Sequence, residues 1–313
     1  MNMYSSKSEL KYKLLDWIPL KKILTDRLSS NPHIQAINIL KEYPGYIDFT
    51  KLCKNPCKEA FDIIINNLDK IMVSSLCTVE NINIIDVLEN KLNKKQKKRY
   101  DWTTLSSNPY AIQLLEKNFE KINWFFFSSN PNAIHIIEKN LKLVDMEQLA
   151  RNPNIYLIID KIIDNTDLDW DLLSQNSGLV EYFNKNWDKV KDKINWTYFS
   201  RNQNINAIKI LEPITLYLDK ICWETLSENI NACDLIKKNW EYYKNMMDWC
   251  YISANPSMTS ILEKNIDKIN WTWLSSNPSI DAMNIIKNNL DIALDNIDWK
   301  SIASNPAIFE LCD

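Results

Sequence analysis

The chain of 313 residues has only two glycines, Gly45 and Gly178, and two histidines, His33 and His135. Two glycines cannot supply a phosphate-cradling loop, a dinucleotide fingerprint or the primed hairpin turns of a β-barrel, each of which needs glycine at several fixed positions. Strong charge of one sign is also missing. The 37 Lys+Arg against 40 Asp+Glu leave a net charge of −3, so attraction to nucleic acid or an anionic membrane has to be local if it exists at all. No run approaches the roughly 18 apolar residues of a membrane span, and residues 1–9 are polar without a signal-peptide core. The seven cysteines are odd in number and irregularly spaced, which suits buried or incidental thiols in a reducing compartment better than a disulfide framework. The expected setting is intracellular and without a membrane partner. An apolar fraction of 45% with 11% aromatics excludes a disordered chain.

What fills the chain instead is a repeat. Tryptophans fall at 102, 124, 170, 196, 223, 249, 271 and 299, with Met146 in the same slot and Phe49 and Val73 in weaker upstream copies. Spacings run from 22 to 29 residues. Eight of eleven prolines sit in Asn-Pro pairs, at Pro32, Pro56, Pro109, Pro131, Pro153, Pro256, Pro278 and Pro306.

Each unit reads as two short helices. The Asp or Asn before the marker (Asp101, Asn123, Asp169, Asn195, Asp248, Asn270, Asp298) is an N-cap. The helix that follows buries the marker and the apolar residue three positions on, such as Leu105, Phe127 or Phe199. Asn-Pro ends this helix and begins the next, since a residue before Pro leaves the α region while Pro suits the first turn. Pairs such as Ile112/Leu115 and Ile134/Ile137 give the second helix its inner face. A second Asn (Asn67, Asn118, Asn140, Asn186, Asn239, Asn265, Asn289) closes it, read as a left-handed residue doing glycine's usual work. One hairpin cannot bury its apolar face alone, so the fold class expected is all-α: an α-solenoid of about twelve short two-helix repeats. Residues 1–27 form an N-terminal cap, frayed over residues 1–10, and the solenoid spans 28–313 with a basic loop at 91–100. The chain from Pro306 onward reads as a truncated second helix, leaving a stackable C-terminal end.

The sequence resembles the short-repeat proteins that giant DNA viruses of amoebae, mimivirus-like, encode in multiple copies, with units of the form Ile-Asp-Trp-x-x-Leu-Ser-x-Asn-Pro. Ile122-Asn123-Trp124, Ile194-Asn195-Trp196, Ile269-Asn270-Trp271 and Ile297-Asp298-Trp299 carry the match, with Leu-Ser-Ser-Asn-Pro at Leu28, Leu105 and Leu274. The resemblance spans nearly the whole chain and departs at residues 71–98 and at Asn202-Gln203. It implies a viral source and the repeat architecture; the expected location is the host cytoplasm, with the virion or the nucleus as alternatives. It implies no catalytic activity.

Catalytic patterns are poor, so no enzyme and no cofactor is expected. His33 and His135 lack neighbouring cysteine pairs, and Asn55-Pro56 separates Cys53 from Cys57. The recurrent serines, such as Ser106, Ser128 and Ser200, have no paired base. Two features invite binding. The position two after each marker carries Phe126, Tyr198, Tyr251 and Trp273 on a nominally outer line, either a stripe for a protein partner or packing between adjacent helices. Lys91, Lys94, Lys95, Lys97, Lys98 and Arg99 lie in the longest marker gap, either a phosphate-binding or nuclear-import cluster or a solvated loop. The leading expectation is a non-enzymatic protein–protein interaction scaffold or adaptor. The alternatives are a nucleic-acid-binding repeat protein and a structural component of a virus particle that self-associates through the open end.

Overall fold

The computed structural model describes residues 11–25, 27–211 and 220–312; residues 1–10, expected to be frayed, lie outside them. The chain is predominantly helical, and among the described residues the only sheet pairs Tyr12–Leu14 with Phe309–Leu311. Two compact units are present: one comprises Leu68–Ile269, the other joins Met1–Asn67 to Asn270–Asp313.

In the unit Leu68–Ile269 the N-caps form as the sequence predicts. Asp101, Asn123, Asp145, Asp169, Asn195 and Asp248 each accept a first-turn amide N–H. The apolar residue three after each marker is fully buried, as at Leu105, Phe127, Leu149, Leu173, Phe199, Leu226 and Ile252. The marker tryptophans are less buried than expected. Trp223 is enclosed, whereas Trp102, Trp124, Trp170, Trp196 and Trp249 are half-buried. Three of these rings are covered in part by the lysine three residues before the next marker. Lys193, Lys220 and Lys268 lay their ammonium groups over the rings of Trp170, Trp196 and Trp249 at 5.0, 5.2 and 5.2 Å, so an aliphatic stem and a cation–π contact close the indole from one side.

The repeat holds three segments where two were expected. After a first helix such as Trp102–Ser107 and a second such as Ile112–Glu116 comes a further short turn, as at Phe119–Lys121, Trp187–Val190, Trp240–Tyr243 and Ile266–Lys268. The inner face of the second helix is also shifted: Ala111, Leu114 and Leu115, then Ala133, Ile136 and Ile137, are buried, while Ile112 and Ile134 are half-buried.

The Asn between second helix and third turn is not left-handed, for no described residue has a positive φ. Asn118, Asn140, Asn186, Asn239 and Asn265 instead donate Nδ2 to the carbonyl four residues back, at 2.7–3.0 Å. The side chain satisfies a carbonyl orphaned at the helix end, and so the chain needs no glycine there.

In the other unit the ends of the chain meet. Leu20–Thr25 packs on Trp299–Ser304, and Leu15 donates its N–H to the Ile308 carbonyl at 3.0 Å. Trp17 meets Trp299 at 6.4 Å, and Lys22 lies 5.7 Å over the same Trp299 ring. The residues after Pro306 are not a truncated helix: a turn, Pro306–Ile308, leads into the strand Phe309–Leu311, antiparallel to Tyr12–Leu14 with Lys13 opposite Glu310. The open, stackable C-terminal end is therefore corrected as well, because the N-terminal segment occupies that place.

Candidate functional site

Polar side chains gather along the line where successive repeats touch. In Leu68–Ile269 the Asn of each Asn-Pro step, or its equivalent, is almost wholly buried and donates Nδ2 to carbonyls of the preceding repeat. Asn130 reaches the Ser106 and Asn108 carbonyls at 2.9 and 3.0 Å, and Asn152 reaches those of Ser128 and Asn130 at 3.0 and 2.8 Å. Asn108, Asn176, Asn229 and Asn255 repeat the pattern. Each Oδ1 meanwhile accepts the N–H two residues on, at 3.0 Å for Asn130. The residue was expected to cap a helix; in fact it caps and bonds the neighbouring repeat with the same amide.

The recurrent serine is used up in a parallel way. Ser106 Oγ donates to the Trp102 carbonyl at 2.7 Å and accepts the Asn123 N–H at 2.9 Å; Ser128 does the same with Trp124 and Asp145 at 2.6 and 3.0 Å. Ser174, Ser200 and Ser227 follow. These hydroxyls hold repeats in register and face no base. Cys77 sits in the same slot, with the Asp101 amide against its sulfur, and burial pushes its thiol up to about 11. In the unit holding the chain ends, burial pushes Cys53, another occupant of this slot, up to about 12. Both are protonated and poorly nucleophilic at neutral pH.

The same ladder joins the chain ends in their own unit. Asn305 donates to the Ser275 and Asn277 carbonyls at 3.0 and 2.8 Å, Asn31 to those of Ala303 and Asn305 at 3.0 and 2.7 Å, and Asn55 to those of Ser29 and Asn31 at 2.9 Å each. In this register the repeat at residue 31 directly follows the repeat at residue 305.

The outer line of aromatics divides. In Leu68–Ile269, Phe126 is 39% exposed while Tyr198 and Tyr251 are half-buried, and Thr225 on the same line is buried with its hydroxyl on the Thr197 carbonyl. Packing between adjacent first helices thus takes much of this line. Trp273, in the other unit, is 42% exposed. Sequence reasoning missed Phe125, 45% exposed and edge-on to Phe126 with ring centroids 5.1 Å apart. The position was legible by contrast: the residue after the marker is polar at Thr103, Glu147, Asp171, Thr197, Glu224, Thr272 and Lys300 and a cysteine at Cys250, and only Phe125 is aromatic.

Residues 91–100 are not a loop throughout. Lys94–Lys97 is a helical turn closed by a capping box, in which Asn93 accepts from Lys95 and Gln96 while Gln96 Oε1 accepts the Asn93 N–H. Lys97 points back and donates to the Glu89 carbonyl, and the Tyr100 hydroxyl donates to that of Leu88. Lys91, Lys94, Lys95, Lys98 and Arg99 are exposed.

Open grooves of about 330 Å³ beside Lys237, Trp240 and Lys264, and of about 290 Å³ beside Arg151 and Gln175, lie in Leu68–Ile269, and one of about 380 Å³ beside Lys41 and Asp62 lies in the other unit. Among the described residues no three His, Cys, Asp or Glu side chains gather as a metal site, and no helix is long and apolar enough to cross a membrane. No protein-family model matches the sequence, and neither a curated protein nor a solved structure is similar to it.

Proposed function

We propose that the protein is a non-enzymatic protein–protein interaction scaffold of viral origin, its repeats stacked as an α-solenoid. The observation that carries the reading is the fate of the repeated polar groups. The Asn and Ser of successive repeats are consumed in bonds to the next repeat, which leaves them unable to converge on a reacting substrate, while the residues that break the repeat's pattern are exposed. Stacked repeats of this kind bind partners through variable outward positions on a fixed frame. Phe125 and Phe126 are the foremost anchors, since aromatic side chains bring large contact area at small entropic cost to an interface. Trp273 is a separate candidate, and Tyr198 and Tyr251 contribute the parts of their rings left uncovered.

Capture from a native extract of infected cells, with and without nuclease, tests this. The reading expects a stoichiometric protein that survives nuclease and is lost when Phe125 and Phe126 are both changed to Ser, with the far-UV spectrum unchanged. A protein retained equally by that variant and by Trp273→Ser refutes the aromatic anchors, and proteins lost wholly on nuclease treatment refute the scaffold reading.

A further inference from the structure

We infer that the basic turn at residues 91–99 is a docking site for the phosphodiester backbone of nucleic acid. The first argument is a departure from the repeat's own pattern. In six other repeats the third turn opens with an apolar residue followed by an acid: Leu68-Asp69, Phe119-Glu120, Trp187-Asp188, Trp240-Glu241, Ile266-Asp267 and Leu290-Asp291; Leu141-Lys142 and Pro44-Gly45 lack the acid. An acid in the first turn is what the helix dipole favours. The turn Lys94–Lys97 has no acid and carries three lysines. A lysine-rich chain does not account for this, since six other turns draw on the same composition and keep an acid, and the departures at Pro44–Tyr46 and Leu141-Lys142 bring at most one lysine.

The second argument is order. The capping box, the Lys97 bond to the Glu89 carbonyl, the Tyr100 bond to the Leu88 carbonyl and buried Leu92 fix the segment at both ends. Five cations are thereby held outward on a short ordered projection, and none of Lys91, Lys94, Lys95, Lys98 and Arg99 forms an ion pair with a described carboxylate; the nearby Glu89 is taken by Lys117 at 2.8 Å. Like charges held together repel, and an anion relieves that repulsion.

The third argument selects the anion. Leu92 is buried and Tyr100 half-buried, so no apolar or aromatic anchor stands among the exposed lysines. Protein interfaces centre on such anchors and are depleted in lysine, and lasting attachment to a membrane takes an inserted chain or apolar face besides basic charge. A phosphate backbone asks only for cations. Binding is therefore independent of base sequence, and it is separate from the aromatic pair of the scaffold reading.

Fluorescence anisotropy of labelled mixed-sequence duplex and single-stranded oligonucleotides, with the full-length chain across a salt series, tests the inference. With four or five phosphates engaged, log K falls against log salt with a slope of about −4 on duplex. Lys94→Gln/Lys95→Gln and Lys98→Gln/Arg99→Gln each flatten the slope by about two and weaken binding at least tenfold at low salt, whereas Lys94→Arg/Lys95→Arg retains it and Phe125→Ser leaves it unchanged. Unaltered thermal unfolding shows that the variants remain folded. Absence of binding at low salt overturns the inference, and so does binding that the Gln variants leave intact. Charge-dependent binding to phosphatidylserine vesicles or polyglutamate without binding to either oligonucleotide overturns it too, in favour of a membrane or an acidic polypeptide.

Discussion

Replacing Asn130 by Ala probes the inter-repeat ladder directly. Asn130 is 1% exposed, donates to the Ser106 and Asn108 carbonyls, and accepts the Asn132 N–H. The Asn108 carbonyl keeps the Ala111 N–H at 3.1 Å, so the loss falls mainly on the Ser106 carbonyl and the Asn132 amide. Three bonds at about 1 kcal/mol each, plus the cost of leaving a buried carbonyl unpaired, give a destabilisation of about 3–5 kcal/mol. Asn140→Ala removes a single half-buried bond to the Ile136 carbonyl and should cost about 1 kcal/mol. Asn130→Asp sharpens the test: its carboxylate faces two carbonyls, so its pKa is raised on folding. The variant is then less stable than Asn130→Ala near neutral pH and recovers relative to it as acid protonates the carboxyl, which can donate again. Urea unfolding followed by tryptophan fluorescence and far-UV circular dichroism reads all three. If Asn130→Ala and Asn140→Ala cost the same, or if the Asp variant shows no recovery in acid relative to Ala, the ladder does not bear the stability assigned to it.

The two glycines should behave oppositely. A Cβ on Gly178 would lie 2.0 Å from the Pro153 carbonyl oxygen, whereas one on Gly45 meets nothing within 4 Å, so Gly178→Ala should lower the thermal midpoint sharply and Gly45→Ala leave it level or raise it. Ser128→Ala deletes a buried hydroxyl bonded on both sides and should cost about 1–3 kcal/mol in urea unfolding; a neutral result would reduce the serine to a space-filler. His33 lies between Tyr12 and Phe309 at 4.6 and 4.8 Å and accepts the Gln35 N–H on Nδ1. Burial holds its pKa below the ordinary value of 6.5, and the charged side chains on the two strands, Lys13 and Glu310, form an ion pair, with Lys11 just before the first strand. A depressed folded pKa means that the stabilisation is complete above pH 6.5 and is lost as pH falls through the lower folded value. Amide exchange in Tyr12–Leu14 and Phe309–Leu311 should therefore accelerate in mild acid, and His33→Asn, which keeps a capping acceptor without titrating, should remove most of that acceleration. Unchanged pH dependence in His33→Asn would clear His33 of the role.

Local rules were legible where one residue answers to its own backbone. Asp101 and Asn123 cap because a short acceptor before a helix has little else to do, and Leu105 and Phe127 are core because they recur at one phase of the helix. What escaped is what one repeat does to the next. Asn130 reads as a cap in isolation, and nothing local says that its Nδ2 reaches carbonyls more than twenty residues back. The ring of Trp170 is covered on one side by Lys193, a residue whose charge argues for solvent when read alone. Asn118 was assigned the left-handed geometry of a helix terminator because glycine usually does that work, yet an amide can satisfy the helix end through its side chain with φ still negative. The strand pairing of Tyr12–Leu14 with Phe309–Leu311 was equally hidden, since three residues at each end of a long chain carry too little alternation to announce a sheet.

A strong repeat changes what counts as a functional mark. In an ordinary domain a buried Asn or a bonded Ser draws suspicion because polar burial is costly and has to be repaid. Here the repayment is visible in unit after unit, so Asn130 and Ser128 are explained by register alone. Suspicion passes to residues that the pattern does not require. Phe125 replaces the polar residue found at Thr103, Thr197 and Thr272 and stands exposed beside Phe126; Lys94 and Lys95 replace the acid found at Glu120 and Asp267 and stand exposed without carboxylate partners. Neither change improves the fold: the phenylalanine adds apolar surface to water, and the lysines repel one another. On the readings proposed above, each serves something outside the chain, apolar in the first case and anionic in the second. The two sites make separable demands, so a partner lost from Phe125→Ser/Phe126→Ser and an oligonucleotide lost from Lys94→Gln/Lys95→Gln should each be retained by the other variant.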